Sequence, residues 1–188
     1  GLPTESFEWD NTIKTYGLKY NWNHSLTQKV KLNYGIEGVY YDFNPGTIKP
    51  TSSESQFNYN QLDKKYAFES SVYLDFEHQI TQKLNLRYGL RYSSFYRLGG
   101  EEISTYENGQ AVAYNPLYHI YQEGTPTGTI KYGSGETISK FNNLEPRAAL
   151  SYAFNENSSV KASYNRMAQY IHMLTNSRLP LPMNIWTP

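Results

Sequence analysis

The chain contains no cysteine, which removes disulfide staples, thiol nucleophiles and Cys-based zinc sites together. No run approaches ~18 consecutive apolar residues, so no transmembrane helix is encoded. That absence leaves a membrane barrel untouched, because only alternate barrel residues meet lipid and a strand of ~9–11 residues crosses the hydrocarbon. Formal net charge is zero and no Lys/Arg cluster occurs, so the electrostatic footprint of a nucleic-acid binder is missing. Neither an initiator Met nor a basic leader stands before Gly1-Leu2-Pro3-Thr4-Glu5. Both ends are therefore read as cuts.

What the chain does contain is aromatic side chains in alternation. It has 188 residues, 19 of them Tyr, and few aliphatics for one ordinary domain. Residues 65–97 organise the rest. Tyr66, Phe68, Val72, Leu74 and Phe76 share one parity, as do Leu84, Leu86, Tyr88, Leu90 and Tyr92 after a polar turn at 80–82. This is the period-2 signature of a β-hairpin. The opposite parity carries Glu69, Ser71, Asp75, Glu77, Asn85, Arg87, Gly89 and Arg91, a face too charged for a dry core. Cross-strand pairs such as Asp75 with Arg87 or Glu69 with Arg91 are expected on that wet side, according to register.

The same design occurs earlier. Residues 23–37 match 77–91 at His24/His78, Thr27/Thr81, Gln28/Gln82, Lys29/Lys83, Leu32/Leu86, Tyr34/Tyr88 and Gly35/Gly89. A weaker copy at 154–164 again sets a polar turn before an alternating run, which makes three hairpins of one pattern. Six strands are predicted at about 12–23, 29–43, 65–78, 83–97, 144–154 and 159–168. Asn44-Pro45-Gly46 is read as a strand stop. Long loops are predicted at 44–63, 98–142 and 169–188, all at one end, with turns of a few residues at the other. That asymmetry is the one expected of an antiparallel transmembrane β-barrel with short periplasmic turns and long extracellular loops. Trp22, Phe76 and Phe154 near the short turns, and Tyr40, Tyr66, Phe68, Tyr92 and Tyr96 near the long loops, fall where interfacial girdles belong. Six strands cannot close around a water-filled lumen, and an open sheet exposes two edges, so a segment of a larger barrel is expected.

The run Asn143-Leu144-Glu145-Pro146-Arg147-Ala148-Ala149-Leu150-Ser151-Tyr152, then residues 160–172 and the Pro182, Trp186, Pro188 ending, resemble the barrel of TonB-dependent outer-membrane receptors. The resemblance covers most of the chain and is densest from Asn143 onward. It implies a bacterial outer-membrane location and a 22-stranded barrel with a plug, importing a siderophore, vitamin, glycan or peptide with energy relayed by TonB. Implied partners are outer-membrane lipid, the remainder of the barrel and its plug, TonB, the substrate, and room for a surface lipoprotein. No plug-like segment or TonB-box candidate is seen in the chain itself.

Chemistry-bearing constellations are sparse. His24 and His78 occupy equivalent turn positions and read as turn or interface residues, not metal ligands. Adjacent Glu101-Glu102 point apart, and the Gly-rich run 124–135 lacks the Lys-Ser/Thr ending and helix of a phosphate loop. No catalytic residue, metal site or cofactor is expected, and the chain is not read as an enzyme. The ligand-contact candidates are Tyr106, Tyr114, Tyr118, Tyr121, Arg178 and Trp186, because flat amphipathic rings on long loops bind sugars, chelates and peptides at low entropic cost. Loop packing on itself is the bland alternative. A soluble all-β ligand-binding module, or an outer-membrane adhesin, hydrolase or porin-like barrel, stays open as a second reading.

Overall fold

The computed structural model describes residues 7–175 and 184–187. Long strands β1 (Phe7–Ser25), β2 (Val30–Pro50), β4 (Lys65–Gln79), β5 (Leu84–Leu98), β10 (Thr137–Asn155) and β11 (Ser158–Asn165) form one antiparallel sheet in the order β1-β2-β4-β5-β10-β11. The short β3 (Asn60–Gln61) pairs the far end of β2. Two small hairpins fill the connection after β5: β6 (Glu102–Tyr106) with β9 (Pro126–Lys131), and nested within it β7 (Val112–Asn115) with β8 (Ile120–Glu123). The last pair is β12 (His172–Thr175) with β13 (Asn184–Thr187), and β13 lies beside β2 and β1. No α-helix occurs among the described residues.

The sheet is curled into a half-barrel, and ion pairs identify its concave side. Arg91 on β5 reaches Glu37 on β2, and Arg147 on β10 reaches Asp75 on β4. Each pair skips a strand, a span of about 9.5 Å that side chains bridge only where the sheet folds towards them. Glu69, Asp75, Arg87 and Arg91 all lie on this odd-numbered face. The even-numbered face is convex and apolar, leaving Leu18, Ile36, Val72, Leu74, Leu90, Leu144 and Leu150 exposed. Alternation along each strand thus becomes an oily outside and a wet inside.

On the convex face, cross-strand register lines the aromatics into two belts. Tyr16, Tyr40, Phe68 and Tyr96 are consecutive partners across four strands. Nearer the short turns, Trp22 stacks on Tyr34 at 5.4 Å, Phe76 on Tyr88 at 5.3 Å, and Tyr152 meets Phe154 edge-on at 5.1 Å. Phe68 and Phe76 mark the belts on β4, about 27 Å apart along the strand and about 20 Å along the normal at a tilt of ~40°. That is close to the ~25 Å apolar band of outer-membrane barrels.

The repeat acquires a physical meaning at the turns. Thr27 Oγ1 accepts from Lys29 N and Val30 N, both at 3.1 Å. Thr81 Oγ1 accepts from Lys83 N at 3.2 Å and Leu84 N at 3.0 Å. The same residue type at the same offset satisfies the same turn donors. The third turn uses Asn155 Oδ1 on Asn157 N at 3.0 Å instead.

Several expectations about element ends need correction. β2 does not stop at Asn44-Pro45-Gly46. Its register with β1 jumps between Asp10/Thr47 and Thr12/Asn44, so two residues of β2 oppose one of β1 in a bulge that absorbs the proline. The connection after β5 is largely hairpin, and β10 begins at Thr137, seven residues before the expected 144. β11 ends at Asn165, three residues before the expected 168. Arg166 would present its charge on the lipid parity, and Pro146 opposite it has no N–H to extend the ladder beyond Arg166 N→Pro146 O at 3.1 Å. Ser71, on the charged parity, is 5% exposed, so a cation placed there would be crowded although it faces the wet side.

Val72 lies midway between the belts. In the complete protein in lipid, Val72→Arg is expected to cost ~2–4 kcal/mol, whereas Asn85→Arg on the wet face costs under ~1 kcal/mol. Denaturant titration of folded and unfolded bands reads both, and equal tolerance would reverse the face assignment.

Candidate functional site

The concave wall is a lattice of side chains set by register. Glu77 directly opposes Arg87, and their charges stand 4.0 Å apart. Arg91 sits between Glu37 at 3.5 Å and Glu69 at 3.6 Å, and Glu37 also meets Lys19 at 3.8 Å. The expected Glu69–Arg91 pair therefore forms, while Asp75 does not pair with Arg87. Register puts Gly89 beside Asp75 on one side and Arg147 on the other. Across the glycine Arg147 closes a two-pronged fork on Asp75, Nε–Oδ1 and Nη2–Oδ2 both 2.6 Å, the strong geometry for a guanidinium and a carboxylate.

A Cβ on Gly89 would lie 1.8 Å from Asp75 Oδ1 and 2.6 Å from the Leu74 carbonyl oxygen. The matching glycine of the repeat serves the same purpose. Gly35 lies between Asn21 and Tyr73, and Tyr73 donates its hydroxyl over it to Asn21 Oδ1 at 2.7 Å. A Cβ there would meet Tyr73 at 2.7 Å and the Tyr20 carbonyl oxygen at 2.5 Å. Glycine is thus the gap through which two neighbouring strands bond. A cavity of about 470 Å³ opens over this lattice, lined among others by Lys19, Asn21, Asn33, Tyr73 and Arg91.

After β11 the chain turns onto the concave face, where residues from 169 onward were expected to form an outer loop. Tyr170 stacks on Phe95 with ring centroids 5.0 Å apart and planes at 12°. Its hydroxyl receives Asn143 Nδ2 at 3.0 Å and lies 2.6 Å from Ser93 Oγ, which donates to Glu145 Oε1 at 2.5 Å. Ile171 packs with Tyr170 against the core of Phe43, Ala67 and Phe95. Between this segment and the wall lies a cavity of about 570 Å³ that includes Tyr41, Glu69, Arg91 and Glu145. Sequence reasoning missed this arrangement. The available signals were Arg166 on the lipid parity and Pro146 on the strand that faces it.

At the loop end, Glu101 fixes the root of the long connection. It receives Lys65 Nζ from the start of β4, and Arg97 Nη2 at 2.7 Å and Nε at 3.1 Å from the end of β5. Burial would raise the Glu101 carboxyl, but its bonds to Lys65 and Arg97 outweigh that and hold it below the ordinary range. Beyond this root, the β7–β8 hairpin brings Tyr114 and Tyr121 into register, their rings 5.2 Å apart. The Tyr114 hydroxyl is 2.9 Å from His119 Nδ1, and His119 adopts φ 52° at the turn. Tyr118 stands exposed at the same tip, and Tyr106 is half-buried at the end of β6. Arg178 lies outside the described residues. Of Trp186 only the backbone, in β13, is described.

A family model described as "TonB dependent receptor-like, beta-barrel" matches residues 2–171. No curated protein and no solved structure matches the chain.

Gly89→Ala is expected to destabilise the complete protein by about 1–3 kcal/mol through overpacking. Gly17→Ala, whose Cβ would meet nothing closer than 3.8 Å, should change stability by under ~1 kcal/mol. Unfolding titrations of the two variants in lipid provide the comparison. Because Glu101 is lowered on folding, its stabilisation is complete above the unfolded glutamate range and disappears as pH falls through the lower folded value. Glu101→Gln should abolish that acid-side fraction of the stability profile, seen as a flatter melting temperature against pH.

Proposed function

The chain belongs to the TonB-dependent receptor β-barrel family, and from that premise we propose that it forms part of the wall of an importer carrying a nutrient or chelate across the bacterial outer membrane. The family is one of outer-membrane receptors and transporters, not of enzymes, and implies TonB as partner. The observation that carries the reading for this chain is the split between faces. Belts of aromatics bracket an exposed aliphatic band on the convex side, while Arg147–Asp75 and Arg91–Glu37–Glu69 line the concave one. A soluble module would have to cover that band, and a lipid bilayer covers it without further contacts.

The sheet is open at β1 and β11, and unpaired strand edges are not tolerated in hydrocarbon. Further strands of the same barrel close it in this reading, with a plug inside and TonB on the short-turn side. The solute then meets the loop side first. Tyr114, Tyr118 and Tyr121 are the first contacts, joined by Tyr106, Arg178 and Trp186, for a siderophore, vitamin, glycan or peptide. Tyr114 and Tyr121 support this best, since Tyr114 already packs at a tilt against both Tyr121 and His119.

The test is deletion of residues 103–130 in the complete receptor, bridged by a short linker. The root survives, because Gly99 N→Glu136 O and Tyr132 N→Glu101 O bonds lie outside the cut and loop length costs little in closure entropy. The deletant should still show a heat-modifiable folded band that requires detergent, while receptor-dependent uptake falls by about tenfold or more, the loss of at least ~1.4 kcal/mol of contact. Unchanged uptake would move ligand recognition off these loops. Folding without detergent would overturn the membrane reading itself.

A further inference from the structure

The segment 166–171 has almost no backbone ladder of its own. Arg166 N holds Pro146 O, and Gln169 Nε2 holds the Ile171 carbonyl oxygen at 3.0 Å within the segment. Its seat on the wall is chiefly one side chain. The Tyr170 hydroxyl accepts from Asn143 and donates towards Ser93, whose own proton goes to the Glu145 carboxylate. Each hydroxyl in this relay is used once as donor and once as acceptor, and the relay ends on a charge, which shortens and strengthens its links. Phe95 and Ile171 supply the apolar half of the seat.

The segment also stands off the wall. The cavity beneath it and the polar cavity nearer the short turns share one lining residue, Arg91. A solute moving along the concave face from the loop side therefore passes under the segment and then over Arg91, whose guanidinium is held by Glu37 and Glu69. Both cavities present carboxylates, guanidinium groups and phenol or amide groups, so the passage suits a hydrophilic solute.

We propose that residues 166–171 are a strap across the import path and that Tyr170 is its latch, a specificity-determining residue that sets how wide a hydrophilic solute can pass to the wall at Arg91. This rests on the concave face being the solute path, as proposed above. A tyrosine suits the role because its ring and hydroxyl are both engaged, so phenylalanine removes the relay and keeps the stack. Without the relay the strap retains only apolar contacts and the backbone bond at Arg166.

The chain has no cysteine, so a reporter placed in it is unique within it, and the complete receptor without the reporter supplies the labelling background. In the complete receptor in outer membranes, Asn33→Cys, which lines the inner cavity, is exposed to thiol reagents added from outside. A compact methanethiosulfonate should react at a similar rate with Tyr170 present, with Tyr170→Phe and with Tyr170→Ala. A bulky polyethylene-glycol maleimide should react about tenfold faster in Tyr170→Ala, which loses the stack on Phe95 and both hydrogen bonds of the hydroxyl, and by a smaller factor in Tyr170→Phe, which loses only the bonds to Asn143 and Ser93. Ile120→Cys at the hairpin tip should be insensitive to all Tyr170 changes. If the bulky reagent gains nothing in either variant while the compact one reacts, the strap does not set the bore and the inference is overturned. If neither reagent reaches Asn33→Cys in any background while Ile120→Cys reacts, no passage runs under the strap to the wall and the inference is overturned, whereas the import reading falls only with the detergent and uptake outcomes given above. Should Tyr170→Ala not assemble, Tyr170→Phe decides alone.

Discussion

Backbone polar groups inside hydrocarbon have no water to turn to, and the rest of this structure follows from that. Between the aromatic belts the strands β1, β2, β4 and β5 run in unbroken register with one another, from Val30 against His78 to Phe43 against Lys65, and from Tyr66 against Leu98 to Gln79 against Asn85. Irregularities are placed where they do no harm. The bulge at Pro45 and Gly46 lies beyond the Tyr40 belt, in the part of β2 that the short β3 also covers. Pro146 sits within β10, but its missing N–H faces the side on which β11 has just ended, so β5 still pairs along β10 without loss.

Continuous pairing fixes the period at two, and the period divides the labour between faces. Once Leu74 and Leu90 face lipid, Tyr73, Asp75, Gly89 and Arg91 must face inward. The inner face is wet enough for charges but narrow enough that they are matched. Asp75, at 3% side-chain exposure, is satisfied by a fork from Arg147 at 37%, so the carboxylate is shielded while the guanidinium keeps part of its hydration. Exposed pairs such as Lys131–Glu102 add little by comparison. The wall's rigidity comes from contacts that skip a strand, and the glycines at 35 and 89 make room for two of them.

The strap adds a second layer to this wall at low cost in sequence. One tyrosine, an asparagine, a serine and a glutamate from two strands convert a departing chain into an interior element. The residues of the sheet itself answer to lipid, register and charge balance.

From sequence alone, alternation identified the six long strands, the lipid-facing parity and the short turns, because a period of two in a half-buried sheet is written residue by residue. The paired Thr27 and Thr81 and the paired Gly35 and Gly89 were visible as a repeat, though not their tasks of capping a turn and opening a gap. Register was not legible: Asp75 has two plausible arginines within reach of a hairpin, and only the position of β10 gives it Arg147, 72 residues further on. The hairpins of the long connection and the fold-back at Tyr170 were not legible either. They depend on contacts such as Tyr170 with Ser93, separated by 77 residues, and no local periodicity records which distant surface a departing chain will meet.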